Sequence, residues 1–522
     1  MLEACKRSPH RWDVLVIGGG ATGLGTAVDA ASRGYRTLLL EQSDFAKGSS
    51  SRSTKLIHGG LRYLKQGHLG LVFEALRERG RLCQNAPHLV SHLGFIVPIY
   101  SWWERFFYGV GIKLYDLLAG KLGLEKSSSL SREEVLVRIP TLNPRGLQRA
   151  FLYYDGQFDD ARLAISLAQT AVDHGAVVIN YCPVISLIRE KEKIVGVTAR
   201  DLETGEEYEL RSKVVINATG IFSDSLRQME SASIAPTITL SQGIHLVLDR
   251  RFMPSDTAFL IPSTDDGRVL FCIPWHRHLL LGTTDTPVQE ASLEPRPLSH
   301  EIDFLLKHAA RYLIHPPKRE DILSVFAGLR PLVHTEGKPT SEISRNHEIF
   351  VSPSGLITIV GGKWTTYRKM AEDVIDKGIS LGQIPGAPCK TKHLRLHGFV
   401  EGRHRIDPWT MYGSDAQKLQ EISDLHPDYG HLLHPRLPYL PAEIVWAVRQ
   451  EMARSVEDVL ARRTRALFLD AKASIEIAPR VAAIMAKELG KDRSWEEEQV
   501  ASFCHLATDY SSSINMPHSS IK

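Results

Sequence analysis

Cysteine is scarce and scattered in this sequence. Its 522 residues include only six cysteines, at positions 5, 83, 182, 272, 389 and 504, with no CxxC pair. Zinc ribbons, iron–sulfur clusters and a disulfide framework are therefore poor interpretations, and we expect reduced thiols and no metal site.

Long apolar runs and an excess of one charge are also missing. No run approaches the ~20 apolar residues of a transmembrane helix, and the first dozen residues lack the apolar stretch of a secretory signal. Lys and Arg total 63 against 60 Asp and Glu, for a formal net charge of +3. We therefore expect no membrane span and no nucleic-acid partner, although a peripheral position on a membrane stays open.

The N-terminal part carries a nucleotide-binding pattern. It runs strand, GxGxxG, helix, strand, acidic residue: residues 14–17, then Gly18, Gly20 and Gly23, then residues 24–33, 37–40 and Glu41. The glycines let the backbone approach a pyrophosphate at the helix N-terminus, and Glu41 is placed for a ribose 2′-hydroxyl. Because Glu41 would repel a 2′-phosphate, FAD or NAD is favoured over NADP.

The chain returns to this nucleotide-binding unit twice, which favours FAD. A strand followed by small residues ends at Gly220, and a later strand, glycine turn and helix include Gly362. We predict a FAD-binding and substrate-cap domain at 12–390 and a helical domain at 391–510, whose clearest helices are 442–460 and 471–489. The nucleotide-binding segments are about 12–90, 212–230 and 350–380, the cap comes from about 90–212 and 230–350, and the tail 511–522 is expected to be disordered.

Several strings in this order strongly resemble the family of FAD-dependent glycerol-3-phosphate dehydrogenases. They are TKLIHGGLRYL at 54–64, NATG at 217–220, GTTD at 282–285, GLRPL at 328–332 and GGKWTTYR at 361–368. The resemblance runs from about residue 12 to 490 and is closer to the mitochondrial type. Since the sequence stops at 522, before the EF-hand region of that type, calcium regulation is not expected.

The resemblance implies a fold, an activity and partners. The fold is α/β: a doubly wound, Rossmann-like FAD-binding domain with a strand-rich substrate cap and a C-terminal α-helical domain. The activity is oxidation of sn-glycerol 3-phosphate to dihydroxyacetone phosphate by hydride transfer to FAD, with electrons passed to a quinone. The enzyme would be peripheral on the cytoplasmic face of the inner or plasma membrane, or cytoplasmic; a homodimer stays open.

This chemistry needs cations for a phosphate dianion and a base for the C2 hydroxyl proton. The family-like strings offer Arg62, Arg330, Arg345 and Lys363 as cations, of which Arg62, Arg330 and Lys363 also count as catalytic. Thr365 is a further phosphate ligand or a helix N-cap. The resemblance makes His245 the candidate base, and histidine titrates near neutral pH. The cofactor contacts it implies are Gly18, Gly20, Gly23, Glu41, Ser50, Ser53, His58, Gly220 and Gly362, with His58 the alternative base.

Three further questions stay open at this stage. Residues 101–120 form an amphipathic pattern with an aromatic end, which fits either packing on the protein's own core or contact with a bilayer interface. The electron acceptor could be oxygen, as in a soluble glycerol-3-phosphate oxidase. An amine or amino-acid flavin oxidase, or a non-catalytic flavin-binding scaffold, is less compatible with the cluster of cations and the intact strings.

Overall fold

A computed structural model describes residues 11–60, 67–337, 340, 346–401 and 409–511. The strands are β1 (Trp12–Ile17), β2 (Thr37–Leu40), β3 (Leu56–Ile57), β4 (Val90–Ile99), β5 (Ser128–Ser131), β6 (Arg149–Phe158), β7 (Val177–Ile179), β8 (Val184–Glu190), β9 (Lys193–Arg200), β10 (Glu207–Asn217), β11 (Ile238–Asp249), β12 (Ala258–Ile261), β13 (Leu270–Trp275), β14 (His278–Gly282), β15 (Thr286–Val288), β16 (Ile322–Val333), β17 (His347–Val351) and β18 (Ile357–Gly361).

The α-helices alternate with these strands and then dominate the C-terminal part. They are α1 (Ala21–Arg33), α2 (Leu69–Asn85), α3 (Trp102–Ala119), α4 (Arg132–Arg138), α5 (Asp160–Asp173), α6 (Ser223–Glu230), α7 (Ser299–Tyr312), α8 (Tyr367–Ser380), α9 (Ala416–Asp424), α10 (Pro441–Gln450), α11 (Ala466–Leu469), α12 (Ala471–Leu489) and α13 (Arg493–Thr508).

The first sheet has the order β17-β18-β10-β1-β2-β7. Strands β18, β10, β1, β2 and β7 pair in parallel, and α1 is the crossover helix between β1 and β2. Apolar residues of these strands pack against α1, α5 and α8 in one core. This layer confirms the predicted doubly wound nucleotide-binding fold.

The second sheet has the order β15-β11-β14-β13-β12-β4-β6-β3, with β16 paired to β11. Most of its pairs are antiparallel, and the long pairing of β11 with β16 places His245 opposite Phe326. The sheet confirms the strand-rich cap and carries much of the candidate site on one face.

The C-terminal helices pack on this second sheet. Ile444, Leu467 and Val481 belong to the same buried cluster as Phe95 and Phe326 of the sheet. The helices therefore support the strands that carry the site. None of the helices in the described ranges combines the length and the apolar character that crossing a bilayer requires.

The structure differs from the sequence predictions at two boundaries. The predicted cap segment 90–212 is divided, because α5 and β7 belong to the first sheet's layer. The helix predicted over 442–460 is wrong in its extent: α10 ends at Gln450, and Met452 has a φ of 56°. The predicted tail 511–522 lies outside the described residues apart from Ser511.

Candidate functional site

One cavity of about 1110 Å³ runs from the first sheet to the second. Ligand pockets usually have about 300–1,000 Å³, so this one has room for more than a small substrate. Its lining includes Gly18, Gly20, Glu41, Ser50, Ser53, His58, Gly220, His245, Arg330, Gly362, Lys363 and Thr365. The structure thus brings together most of the residues that the sequence analysis singled out.

The first-sheet end is built as a nucleotide cradle. Helix α1 starts after Gly20, a residue without a capping side chain, and its N-terminal residues Ala21 and Thr22 line the cavity. A Cβ at Gly23 would lie 1.8 Å from the Gly18 carbonyl oxygen, which explains the need for glycine there. These features fit a pyrophosphate on the helix N-terminus.

Glu41 closes this end of the cavity. Its carboxylate accepts hydrogen bonds from the Gly19 amide at 2.6 Å and the Ser43 amide at 2.9 Å. Burial raises the pKa of Glu41, and the two amide donors oppose that shift. The side chain is therefore fixed where a ribose hydroxyl would meet it.

The predicted serine contacts lie beside this cradle with their hydroxyls already engaged. Ser50 Oγ accepts from the Ala21 amide at 2.9 Å. Ser53 Oγ donates to Asp160 at 2.7 Å, and the Ser53 amide donates to the same carboxylate. Both serines shape the loop that faces the cofactor end of the cavity.

The end of the cavity at the second sheet is formed by one face of the paired strands β11 and β16. Positions 241, 243 and 245 of β11 lie opposite 330, 328 and 326 of β16, and alternate residues share a face. Arg330 therefore lies over Gly243, where a Cβ would be 2.1 Å from its Nη2. Because Gly243 has no side chain, a guanidinium and an imidazole lie side by side on the floor of the cavity.

His245 is held tightly on this floor. It is 2% exposed, and its ring stacks on Phe326 with centroids 5.0 Å apart. Its Nε2 lies 3.0 Å from Thr54 Oγ1, and a Cβ at Gly282 would be 2.2 Å from Cδ2. Burial, followed by Lys55 and Arg330, lowers the pKa of His245 well below its usual range. The imidazole is thus kept neutral near pH 7.

Arg330 joins a polar edge of the cavity. Its Nη2 donates to Thr283 Oγ1 at 3.0 Å, and its Nη1 lies 3.9 Å from the Asp285 carboxylate. The guanidinium side chain keeps 25% exposure. Thr283 and Asp285 therefore position Arg330 while it lines the cavity.

Lys363 and Thr365 come from the turn between β18 and α8. Both line the cavity, but the Thr365 hydroxyl accepts from the His58 amide at 3.2 Å and donates to the His58 carbonyl at 3.3 Å. No side-chain cap is found at the N-terminus of α8, so the structure does not show the N-cap alternative. Thr365 secures the backbone of His58.

His58 is the second histidine that lines the cavity. Burial, then the nearby charges of Lys363 and Arg79, lowers the pKa of His58 to about 3. Its ring meets Phe271 edge-on, with centroids 6.4 Å apart. Arg62 and Arg345 lie outside the described residues, so their predicted roles stay predictions.

Two cavity residues make contacts that the sequence analysis did not predict. Thr54 was quoted only as the start of the 54–64 string, yet its hydroxyl meets His245. Arg52 lines the cavity and is fixed by Glu294 at 2.6 Å and by the Tyr510 hydroxyl at 3.0 Å. No local signal shows these contacts, because Tyr510 lies 458 residues from Arg52 in the sequence.

Helix α3 forms an apolar wall at the cavity mouth. Phe106, Phe107, Val110 and Leu114 line the cavity. The amphipathic helix predicted at 101–120 is present as α3, and the protein core covers only part of its apolar side. Trp102 and Val110 on this apolar side are 63% and 56% exposed, and the residues that α3 buries are Ile112, Tyr115 and Ala119.

Comparison with known proteins gives consistent matches. The model of the FAD dependent oxidoreductase family matches residues 13–368, and that of the C-terminal domain of alpha-glycerophosphate oxidase matches 357–499. A mitochondrial glycerol-3-phosphate dehydrogenase of Mus musculus is 39% identical over 96% of this chain and 73% of its own length. One of Arabidopsis thaliana is 40% identical over 96% of this chain and 87% of its own length.

A solved structure matches over nearly the whole chain. The glycerol-3-phosphate dehydrogenase of Bacillus halodurans, solved with FAD, has a TM-score of 0.80 and 30% sequence identity. The match covers 98% of this chain and 97% of that one. The two share their C-terminal helical part as well as the sheets.

Proposed function

Because this chain belongs to the family of FAD-dependent glycerol-3-phosphate dehydrogenases, we propose that it oxidises sn-glycerol 3-phosphate at the Arg330–His245 end of its cavity. The observation that carries this assignment is the register of β11 and β16, which sets a guanidinium beside a neutral imidazole. Bound FAD supplies the acceptor for the C2 hydride. The nucleotide cradle at the first sheet fits this cofactor, and the product is dihydroxyacetone phosphate.

Cationic side chains of the cavity bind the substrate phosphate. Arg330 offers a planar group of donors, and Lys363, which also lines the cavity, adds a point charge. Arg62 and Arg345 would extend this clamp. Glycerol has no phosphate, so it should be a very poor substrate, and near-equal activity on glycerol would contradict the clamp.

His245 accepts the C2 hydroxyl proton. Its Nε2 faces the cavity-lining Thr54 hydroxyl, whereas Nδ1 is buried within the described structure, so we assign the proton to Nε2. A positioned general base typically contributes about 10²–10⁴-fold to rate. The lowered pKa keeps this base available at neutral pH.

Anaerobic stopped-flow bleaching of the flavin tests this base. His245→Asn should retain FAD, slow flavin reduction by at least about a hundredfold and abolish the low-pH limb of the rate profile. His300→Asn, at an exposed position of α7, is the matched control. Near wild-type reduction by His245→Asn with the same pH dependence would transfer the role to His58.

We infer that electrons leave to a quinone through the α3 wall. Quinones are apolar and dissolve in the bilayer, and the side chains of α3 line the cavity on one side while remaining open to the outside. Reoxidation of reduced enzyme by a quinone analogue and by oxygen should be compared. Fast reaction with oxygen and none with quinone would favour a glycerol-3-phosphate oxidase.

The exposed aromatic end of α3 is proposed as the membrane contact. Trp102, Trp103 and Phe106 are 63%, 65% and 69% exposed, and Leu69 and Phe73 of α2 add further exposed apolar surface. Burying such a side chain in an interface gains roughly 1.5–3 kcal/mol. The cytoplasmic face and the homodimer stay predictions.

Vesicle sedimentation tests this contact. The triple change of Trp102, Trp103 and Phe106 to Ser should reduce binding to phospholipid vesicles by roughly 100-fold or more. Leu425→Ser, at a site 74% exposed on another surface, is the control. Detergent should release the protein from membranes more completely than salt, and full release by salt alone would instead indicate electrostatic or partner-mediated attachment.

A further inference from the structure

A fully buried lysine lies behind the candidate base and outside the cavity lining. Lys55 belongs to the 54–64 string, has no exposed surface and is absent from the cavity wall. Its Nζ donates to Asp160 Oδ2 at 2.7 Å and to the Ser51 carbonyl at 2.7 Å. Lys55 therefore contacts neither a ligand nor solvent, and the proton transfer assigned to His245 does not use it directly.

The ammonium group sits among three aromatic rings. Its Nζ lies 5.3 Å from the centroid of Trp275, 5.1 Å from that of Phe326 and 5.5 Å from that of Phe468. Ring faces attract cations, and the attraction grows when the pair is removed from water. Phe326 is the ring that stacks on His245. One aromatic side chain thus contacts both the buried cation and the imidazole.

The carboxylate that holds Lys55 also fixes the loop bearing Thr54. Asp160 accepts from the amide and the hydroxyl of Ser53 as well as from Lys55. Arg465 binds the other oxygen of Asp160 at 3.2 Å. Because Ser53 and Lys55 flank Thr54 on both sides, this network sets the position from which the Thr54 hydroxyl meets His245.

A purely structural role is the simpler alternative. A buried ion pair is weak support for stability, since well-packed apolar residues often replace one at little cost. Stability alone therefore does not require a cation here. A positive charge near an imidazole, however, disfavours a second positive charge on that ring.

Charged groups surround His245 on the elements that pack against it. Arg330 acts on it from β16, and Lys55 lies over the ring of Phe326. Lys55 pairs with Asp160, and Arg465 pairs with both Asp160 and Asp159. Burial lowers the pKa of Lys55 itself to about 7, while Asp160 opposes this shift.

We propose that Lys55 is a positioning residue for the oxidation, which holds Thr54 against His245 through Asp160 and keeps the imidazole neutral by its charge. Its kinetic consequences rest on the proposed function. Its effect on His245 itself does not, since the protonation of the ring can be observed without turnover.

Histidine NMR provides that observation. The protein is produced with ¹³C at histidine Cε1. The His245 resonance is assigned as the one that is missing from the spectrum of His245→Asn. In Lys55→Gln, an amide can still donate to Ser51 or Asp160, but the charge is gone. The midpoint of His245 titration should rise by about half a pH unit or more towards its usual value, and Lys55→Arg should stay near wild type.

The same variants separate positioning from structural support. The low-pH limb of flavin reduction should move to higher pH in Lys55→Gln, while KM for glycerol 3-phosphate stays unchanged because Lys55 does not touch the substrate. A lower melting temperature of Lys55→Gln without an upward shift of the His245 midpoint would overturn the proposal. Absence of any His245 titration in both wild type and Lys55→Gln would also overturn it. If Lys55→Gln does not fold, Lys55→Met is measured by the same criterion. A His245 midpoint in Lys55→Arg equal to that of the charge-free variant would also overturn the proposal.

Failure of the proposed function gives a different result. If His245→Asn keeps the low-pH limb, His245 is not the base. The NMR midpoints of the Lys55 variants then still report whether Lys55 controls the protonation of His245.

Discussion

Replacing Gly243 by Ala should displace the Arg330 guanidinium without removing its charge. The added Cβ would lie 2.1 Å from Nη2, 2.5 Å from Nη1 and 2.6 Å from Cζ of Arg330. No real Cβ approaches other atoms so closely, so something must move. The atoms in the way are the far end of a flexible side chain, so Arg330 shifts and the strands keep their pairing.

The expected size follows from the bonds that Arg330 is proposed to make. A hydrogen bond to a charged group contributes roughly 1.5–3 kcal/mol, and each ~1.4 kcal/mol is tenfold in an equilibrium constant. Arg330→Met should therefore raise KM for glycerol 3-phosphate by about 10- to 150-fold. Gly243→Ala should raise it by about tenfold, because the displaced guanidinium keeps its charge but loses its geometry.

A double-mutant cycle distinguishes displacement from general damage. In Gly243→Ala/Arg330→Met the methyl group meets no guanidinium, so KM should stay within about twofold of Arg330→Met alone. Gly70→Ala is the control, since a Cβ there meets no atom of the described residues within 4 Å. Steady-state kinetics with FAD saturation checks all four proteins. Multiplicative effects in the double variant, or an unchanged KM in Gly243→Ala, would refute the arrangement of the β11 floor.

Two further predictions concern other parts of the chain. Glu41→Gln should weaken FAD retention by about tenfold, because an amide cannot accept from both the Gly19 and Ser43 amides; cofactor retention on gel filtration measures this, and full retention would contradict it. Asp415, with help from Asp173, raises the pKa of His397 to about 9 from 6.5, so its stabilisation is complete below pH 6.5 and is lost as pH rises through about 9. In urea unfolding, His397→Gln should therefore cost more free energy at pH 6 than at pH 9.5, and an equal cost at both would refute the pairing.

The nucleotide half of the fold could be predicted because its determinants are local. The pattern from Trp12 to Glu41 combines strand, glycine turn, helix and acidic residue within one unit, and each part acts on its neighbours. A Cβ clash such as that at Gly23 involves residues only five positions apart. Chain-wide packing has little freedom to override such a pattern.

The sequence could not predict that part of the segment 90–212 leaves the cap. That outcome depends on which of the two sheets β7 joins as an added strand. Residues of α5 and β7 have the periodicity of any helix and strand. They join the first sheet because β2 offers a parallel edge, where Leu38, Leu39 and Leu40 pair with residues 177–179. The partner strand β2 lies more than 130 residues earlier in the chain, so the local sequence around β7 does not indicate the pairing.

The early end of α10 has a similar cause in buried charge. The pattern at 442–460 continues to favour helix, yet Glu451 is drawn to Arg162 of α5 and to the Trp446 indole. Arg463 reaches Asp44 in the loop after β2 at 2.7 Å. Each of these charges is buried and must be paired, so the cost of leaving one unpaired outweighs several residues of helix propensity.

The outward face of α3 shows where periodicity reaches its limit. An amphipathic pattern states that one side of a helix avoids water, but the same pattern serves a protein core or a lipid interface. The neighbours decide: α3 uses Ile112, Tyr115 and Ala119 to reach the core and leaves its aromatic end uncovered. Because the same helix also forms a wall of the cavity, the surface proposed to meet lipid and the route proposed for the electron acceptor are two sides of one element.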